Sequence, residues 1–310
     1  MRRLIKIALA AALLGIIIML IFYFVATKYH DELYVYYRDN IKKVQEKIKL
    51  DKNDYYKGKN YGYVQITDDF VAKDKKHLLN IFYTVIDSGQ TNFTFYCSKD
   101  YTNCNQDVVE LIDNKEILSN VNNFVHPYNS FEKINTSYDN FGEVNIKIDK
   151  IYSDEDIKQI NDKISQIEIV ATNSSMTNVQ KITAIHNYII NHGRYASDTI
   201  RKQNPNKNYN KANDILFDGY GLCSSYADTM AIFLNKWKID NYRIASDTHI
   251  WNLVNIDGKW LHLDLTWDDP ITQDGKDKLE NIFLLIDNER LKKLKIEKHD
   301  YNQAIYQEAQ

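Results

Sequence analysis

Apolar and polar positions follow three rhythms along this chain. Residues 7–26 form an unbroken apolar run behind Arg2, Arg3 and Lys6, long enough as a helix to cross a bilayer core of about 30 Å. From 29 to 52 the chain turns charged and tyrosine-rich, and Leu33, Tyr36, Tyr37 and Ile41 recur at helical spacing, which predicts a stalk helix. Between 61 and 152 the period shortens. Tyr63-Val64-Gln65-Ile66 and Val144-Asn145-Ile146-Lys147-Ile148 read as strands, with a helix near 76–87. Helical spacing returns over 153–169, opened by the acidic Ser153-Asp154-Glu155-Asp156. It recurs over 177–192, where Val179, Ile182, Ile185, Ile189 and Ile190 share one side ahead of Gly193.

The last third is the most specific. Asp218-Gly219-Tyr220-Gly221 is a turn-forming lead-in to a helix that starts near Cys223, and Ala227, Met230, Ala231 and Leu234 continue one face from that cysteine. The thiol is thus expected in the first helical turn, where the positive end of the helix dipole favours a thiolate. Downstream, Ile250-Trp251-Asn252-Leu253-Val254-Asn255-Ile256 and Trp260-Leu261-His262-Leu263-Asp264-Leu265 flank Asp257-Gly258, a strong signal for a two-residue hairpin turn. That register pairs Ile256 with Lys259 and Trp251 with Asp264. It makes His249 and Asp264 diagonal neighbours on one face, within reach of a hydrogen bond. Ile250, Val254, Ile256, Leu261, Leu263 and Leu265 form the opposite, core-side face, so the Cys223 helix is expected to cover the His249 face.

The remaining features frame this site. A chain of 310 residues with 44% hydrophobic content can bury a sizeable core, and its length suits about two domains. A net charge of −3, with no basic stripe or zinc-finger spacing, argues against nucleic-acid binding. The basic residues ahead of the apolar run orient the N-terminus to the cytoplasm and send the rest outward. The run exceeds a typical signal-peptide core and lacks a small-x-small ending, which favours an uncleaved anchor over cleavage and secretion. Outside the cell, Cys97 and Cys104 could close a short disulfide loop, and Cys223 is then the odd thiol, either dimerising or reactive. His262 reads as a packing or supporting residue, and Trp260 and Trp267 as scaffold. Asp268-Asp269-Pro270 reads as a turn. His186 and His192 lack a ligand spacing, so no metal or cofactor is expected.

Three motifs in order, Gly219-Tyr220-Gly221-Leu222-Cys223-Ser224-Ser225-Tyr226-Ala227, then Thr248-His249-Ile250-Trp251-Asn252-Leu253-Val254, then Gly258 through Pro270, resemble the core of the transglutaminase-like superfamily. The resemblance implies a papain-like α+β fold over 171–310. Ahead of it come a smaller α+β domain with its stalk helix over 28–170, a transmembrane helix over 7–27 and a cytoplasmic tail over 1–6. It further implies that Cys223 corresponds to the nucleophile, His249 to the base and Asp264 to the orienting acid. Bacterial members often carry Gln-Gly after the cysteine, and this chain has Ser224-Ser225, which bears on the shape of the acyl pocket. The chemistry expected is acyl transfer from a glutamine or peptide amide of a protein substrate, ending in cross-linking, deamidation or proteolysis. The Cys223 backbone N–H is the natural oxyanion donor, Tyr195 and Tyr220 are candidates for a second, and Trp251 borders the thiol. A non-catalytic binding or scaffolding module, or a thiol-dimerised surface protein, stays open as an alternative.

Overall fold

The computed structural model describes residues 2–36, 48–139, 142–270, 280–295 and 297–306. Helix α1 (Arg2–Lys28) takes in the apolar run and is followed by α2 (His30–Tyr36). Among the described residues no helix is long and apolar enough to cross a membrane. The anchor expected over 7–27 is therefore without support. Of the expected stalk helix, Tyr37 and Ile41 lie outside the described residues.

The first half builds a four-stranded sheet in the order β1 (Val71–Ala72), β2 (Asn92–Cys97), β4 (Glu143–Lys150), β3 (Phe131–Tyr138). Helices α3 (Lys75–Ser88), α4 (Cys104–Asp113) and α5 (Lys115–Phe124) belong to the same half. Cys97 and Cys104 are joined by a disulfide, their α-carbons 5.9 Å apart, between the end of β2 and the start of α4. The stretch Tyr63-Val64-Gln65-Ile66 is not a strand. Its backbone is satisfied by side chains instead, Gln65 N–H donating to Asn80 and Ile66 N–H to Asn60, with Val64 fully buried and Tyr63 and Ile66 partly buried against the same core.

The second half opens with α6 (Asp154–Ala171) and α7 (Asn178–His192), each with a capping box, from Ser153 and Asp156 and from Thr177 and Gln180. Two short parallel strands, β5 (Arg194–Tyr195) and β6 (Tyr220–Gly221), bracket α8 (Asp198–Gln203) and α9 (Ala212–Asp218). Then come α10 (Cys223–Lys236) and the antiparallel meander β7 (Asn241–Ala245), β8 (Ile250–Ile256) and β9 (Lys259–Leu263), followed by α11 (Asn288–Leu294). The turn between β8 and β9 has φ of 51° at Asp257 and 89° at Gly258, the left-handed pair that a two-residue hairpin demands.

Both faces of the meander are buried, and this corrects one expectation. Helix α10 does not cover the His249 face. It packs on the other side, where Val254 and Leu263 join Met230, Phe233 and Leu234 and the Asn252 amide donates to Ala227 O at 2.9 Å. The physical reason is that both faces of the meander are apolar, and the first half of the chain occupies the His249 side, leaving the Val254 side to the apolar stripe of α10. The opposite face, carrying Tyr242, Ile244, Trp251 and Leu253, shares a continuous core with Phe82, Phe95, Val121 and Phe124 of the first half.

Candidate active site

Cys223 is the first residue of α10, with Leu222 as its cap residue. Ser225 and Tyr226 donate their N–H groups back to Leu222 O, whereas the N–H groups of the first helical positions point out of the helix end. The thiol is partly exposed. Gly221 allows the close approach of β6 to this turn, since a Cβ there would meet Ser225 Cβ at 2.7 Å. Ser225 is buried, its hydroxyl bonded to Tyr209 O at 2.7 Å, while Ser224 reaches Asn210 at 3.3 Å.

His249 and Asp264 lie just past the hairpin ladder, whose last pair is Asn252 with Leu263. The pairing expected further out, Trp251 with Asp264, does not form because β9 ends at Leu263. The two side chains meet nonetheless, with His249 Nε2 2.5 Å from Asp264 Oδ2. A carboxylate only accepts, so the proton between them belongs to Nε2. The other ring nitrogen, Nδ1, is left for Cys223, which contributes to the raised pKa of the imidazole. The thiol thus reaches the base because the start of α10 and the open end of the meander coincide, and not because the helix lies over the histidine face.

Asp264 is saturated. Its Oδ1 accepts from the backbone N–H groups of Thr266 at 2.9 Å and Trp267 at 3.3 Å. Its Oδ2 accepts from His249 and from a residue that the sequence did not single out, His299, at 2.8 Å. Burial works against the charge on Asp264, but the two imidazoles outweigh it and hold the carboxyl well below the usual range. Burial likewise opposes protonation of His249, yet the Asp264 charge and the bonds to Asp264 and Cys223 raise its pKa to about 9. The ligand atoms of His249, Asp264 and His299 lie within 4.8 Å of one another, close enough to hold a metal ion. As the side chains stand, the carboxylate oxygen serves both rings directly.

Trp251 is not a pocket wall, which corrects its expected place. It is buried, stacks on His249 with ring centroids 5.5 Å apart and planes 13° apart, and gives its indole N–H to His262 Nδ1 at 3.0 Å. It orients the base from behind, and a donor committed to His262 cannot serve an oxyanion. His262 accepts that bond as a neutral ring, its pKa lowered to about 4 by burial. Tyr195 pairs with Gly221 across β5 and β6. Burial raises its pKa, with a further contribution from the Cys223 charge. Tyr220 pairs with Arg194, one residue further from Cys223. Asp268 is more than a turn residue. It is fully buried, bonded to His186 Nε2 at 3.1 Å, and receives the N–H groups of Ile282 and Phe283, so it fixes the chain that passes beside His299.

Residues 165–265 match the family model of the transglutaminase-like superfamily. That segment runs from α6 to Leu265 and contains Cys223, His249 and Asp264; His299 lies beyond it. The chain is a mixed α+β protein, and its likeness to the transglutaminase-like superfamily is carried by that segment. Solved structures with similarity to it include a TGase, at 14% identity and a TM-score of 0.33 over 44% of each chain. A candidate cysteine protease from Cytophaga hutchinsonii is 16% identical, with a TM-score of 0.27 over 43% of this chain and 61% of its own. A candidate protease from Parabacteroides distasonis is 13% identical, with a TM-score of 0.26 over 47% of this chain and 40% of its own. The chain therefore spans less than two thirds of the length of each. No curated protein matches it.

Proposed function

We propose that this chain is a thiol acyl-transfer or hydrolase enzyme acting on amide groups of a protein or peptide. The Cys223 sulfur attacks the carbonyl carbon, His249 Nδ1 delivers the proton to the departing amine, and a thioester remains on Cys223. His249 then takes a proton from the second nucleophile as that nucleophile releases the acyl group. Asp264 holds the ring in the tautomer this requires. The developing oxyanion is met by the Cys223 backbone N–H at the helix start, with Tyr195 and Tyr220 as the candidates for a second donor. One observation carries the reading: a buried imidazole bonded through Nε2 to a carboxylate, with the one free thiol among the described residues close enough to raise its pKa.

The second nucleophile decides the product. A lysine amine gives a cross-link, whereas water gives deamidation of a glutamine or cleavage of a peptide. The test is mass spectrometry of a glutamine-donor protein incubated with the full chain and a small amine. Amine incorporation, a one-dalton gain or backbone cleavage is expected with the wild type and lost in Cys223→Ala. Equal products from both proteins would sink the proposal.

The enzyme would work on the extracytoplasmic side, a reading supported by the Cys97–Cys104 disulfide, since such bonds persist in oxidising compartments. Intact cells expressing the chain should then be labelled at Cys223 by a membrane-impermeant thiol reagent. Labelling that needs lysis would place the site inside.

A further inference from the structure

His299 is the one group at the site whose role neither the three motifs nor the matched segment covers. It belongs to a single 3₁₀ turn at Glu297–His299, 35 residues beyond Asp264. It is 4% exposed and locked among rings. Phe283 stacks on it at 5.0 Å and 9°, while Trp251 at 4.8 Å and Trp267 at 5.3 Å meet it edge-on. These contacts leave the ring little freedom, and they aim Nε2 at Asp264 Oδ2, the same oxygen that holds His249. The bond again requires the proton on Nε2. Among the described residues His299 Nδ1 has no hydrogen-bond partner, so the bond to Asp264 is the polar contact that the ring is built to make.

We propose that His299 is a positioning residue of the thiol site, acting through Asp264: its N–H fixes the carboxylate and shares the oxygen that holds His249. Two donors on one oxygen each draw on the same electron density, so each bond is weaker than it would be alone. A carboxylate that gripped His249 without a competitor would hold the imidazolium more tightly and make it a poorer acid toward a departing amine. His299 would thus keep the base oriented without over-stabilising its charged form. This inference rests on the proposed thiol chemistry only for its consequence on rate; the coupling of His299 to His249 can be read without turnover.

The groups facing His299 are Asp264, His249 and His262 on its inner side. Lys292, Lys295 and Asp300 line the cavity on its outer side. None of these is altered by His299→Phe, which keeps a ring between Phe283 and the two tryptophans and removes the N–H. His299→Gln restores a neutral N–H donor. The experiment is an NMR titration of the ¹⁵N-labelled His249 ring in the full chain and both variants, paired with kcat and KM over pH. In His299→Phe the His249 pKa should rise by about one unit, equivalent to a tenfold change. The alkaline limb of kcat should move up with it, and kcat at neutral pH should fall about tenfold at little change in KM. His299→Gln should recover most of both.

A folded His299→Phe protein with an unmoved His249 titration would overturn the proposal. So would His299→Gln losing as much as His299→Phe, because that pattern marks a packing role. If Cys223 proves unreactive and indifferent to His249, the enzyme reading fails, while the ring titration still decides whether His299 acts on His249.

Discussion

Turnover in the His249→Ala protein is expected to fall by about 10²- to 10⁴-fold, the range spanned by loss of a positioned general acid–base. Iodoacetamide should label Cys223 more slowly in parallel, because the thiol loses the imidazole coupled to it. The variant should fold. Asp264 keeps the N–H groups of Thr266, Trp267 and His299, so no bare carboxylate is buried. Unchanged alkylation and turnover would remove His249 from the mechanism.

The same variant carries a pH signature. His249 has its folded pKa raised from 6.5 to about 9, so the stability it contributes is complete below about pH 6.5 and is lost as pH rises through 9. Asp264 is shifted the other way, so its contribution is complete above about pH 4 and lost only in stronger acid. Between roughly pH 4 and 6.5 both contributions are present in full. The stability difference between wild type and His249→Ala, measured by denaturant unfolding, should shrink by an amount on the order of 3 kcal/mol between pH 6 and pH 10. A difference that stays level or grows would show that the imidazole is not held as an imidazolium. Asp264→Asn is the sharper lesion. Each Asp264 oxygen accepts from two N–H donors, and an amide in either orientation turns its NH₂ onto one of those pairs.

How much of this could be read from the chain follows from the range of the interactions. The hairpin was legible because Asp257-Gly258 sets a local register, and the pairs from Ile256 with Lys259 to Asn252 with Leu263 follow from it. The start of α10 at Cys223 was legible because Gly219 and Gly221 break the chain ahead of an apolar stripe. The choice of face was not. Trp251 and Leu253 on one side of β8 are as apolar as Val254 on the other, and only the arrival of the first half of the chain decides which side α10 receives. The Trp251 indole met the same difficulty, since its bond to His262 depends on ring orientation across the strands. His299 gave no signal at all. It lies in a stretch of Lys298, His299 and Asp300 that reads as solvent-facing, and Asp264 captures it through a contact 35 residues long.

Replacing Asp228 with alanine is expected to destabilise the fold by about 3 to 5 kcal/mol, as for other buried pairs broken on one side. That is a large share of the 5 to 15 kcal/mol typical of a folded domain. Asp228, on α10, is ion-paired with Arg243 on β7 and accepts the Tyr152 hydroxyl at 2.6 Å, with both ionic side chains about 5% exposed. The Arg243 guanidinium continues to Asn122 O and to the Ser130 hydroxyl at 2.8 Å. The network therefore ties α10, the meander and the first half of the chain together at one point. Removing the carboxylate strands a cation in that interior, whereas the double replacement Asp228→Leu with Arg243→Met removes both charges and should recover much of the loss. Urea unfolding of the three proteins decides this, and a single-variant cost below about 1 kcal/mol would show the pair to be dispensable. Asp228 lies five residues after Cys223 on the same helix, so a loosened clamp should also slow alkylation of the thiol at urea concentrations well short of unfolding, as the start of α10 drifts from His249.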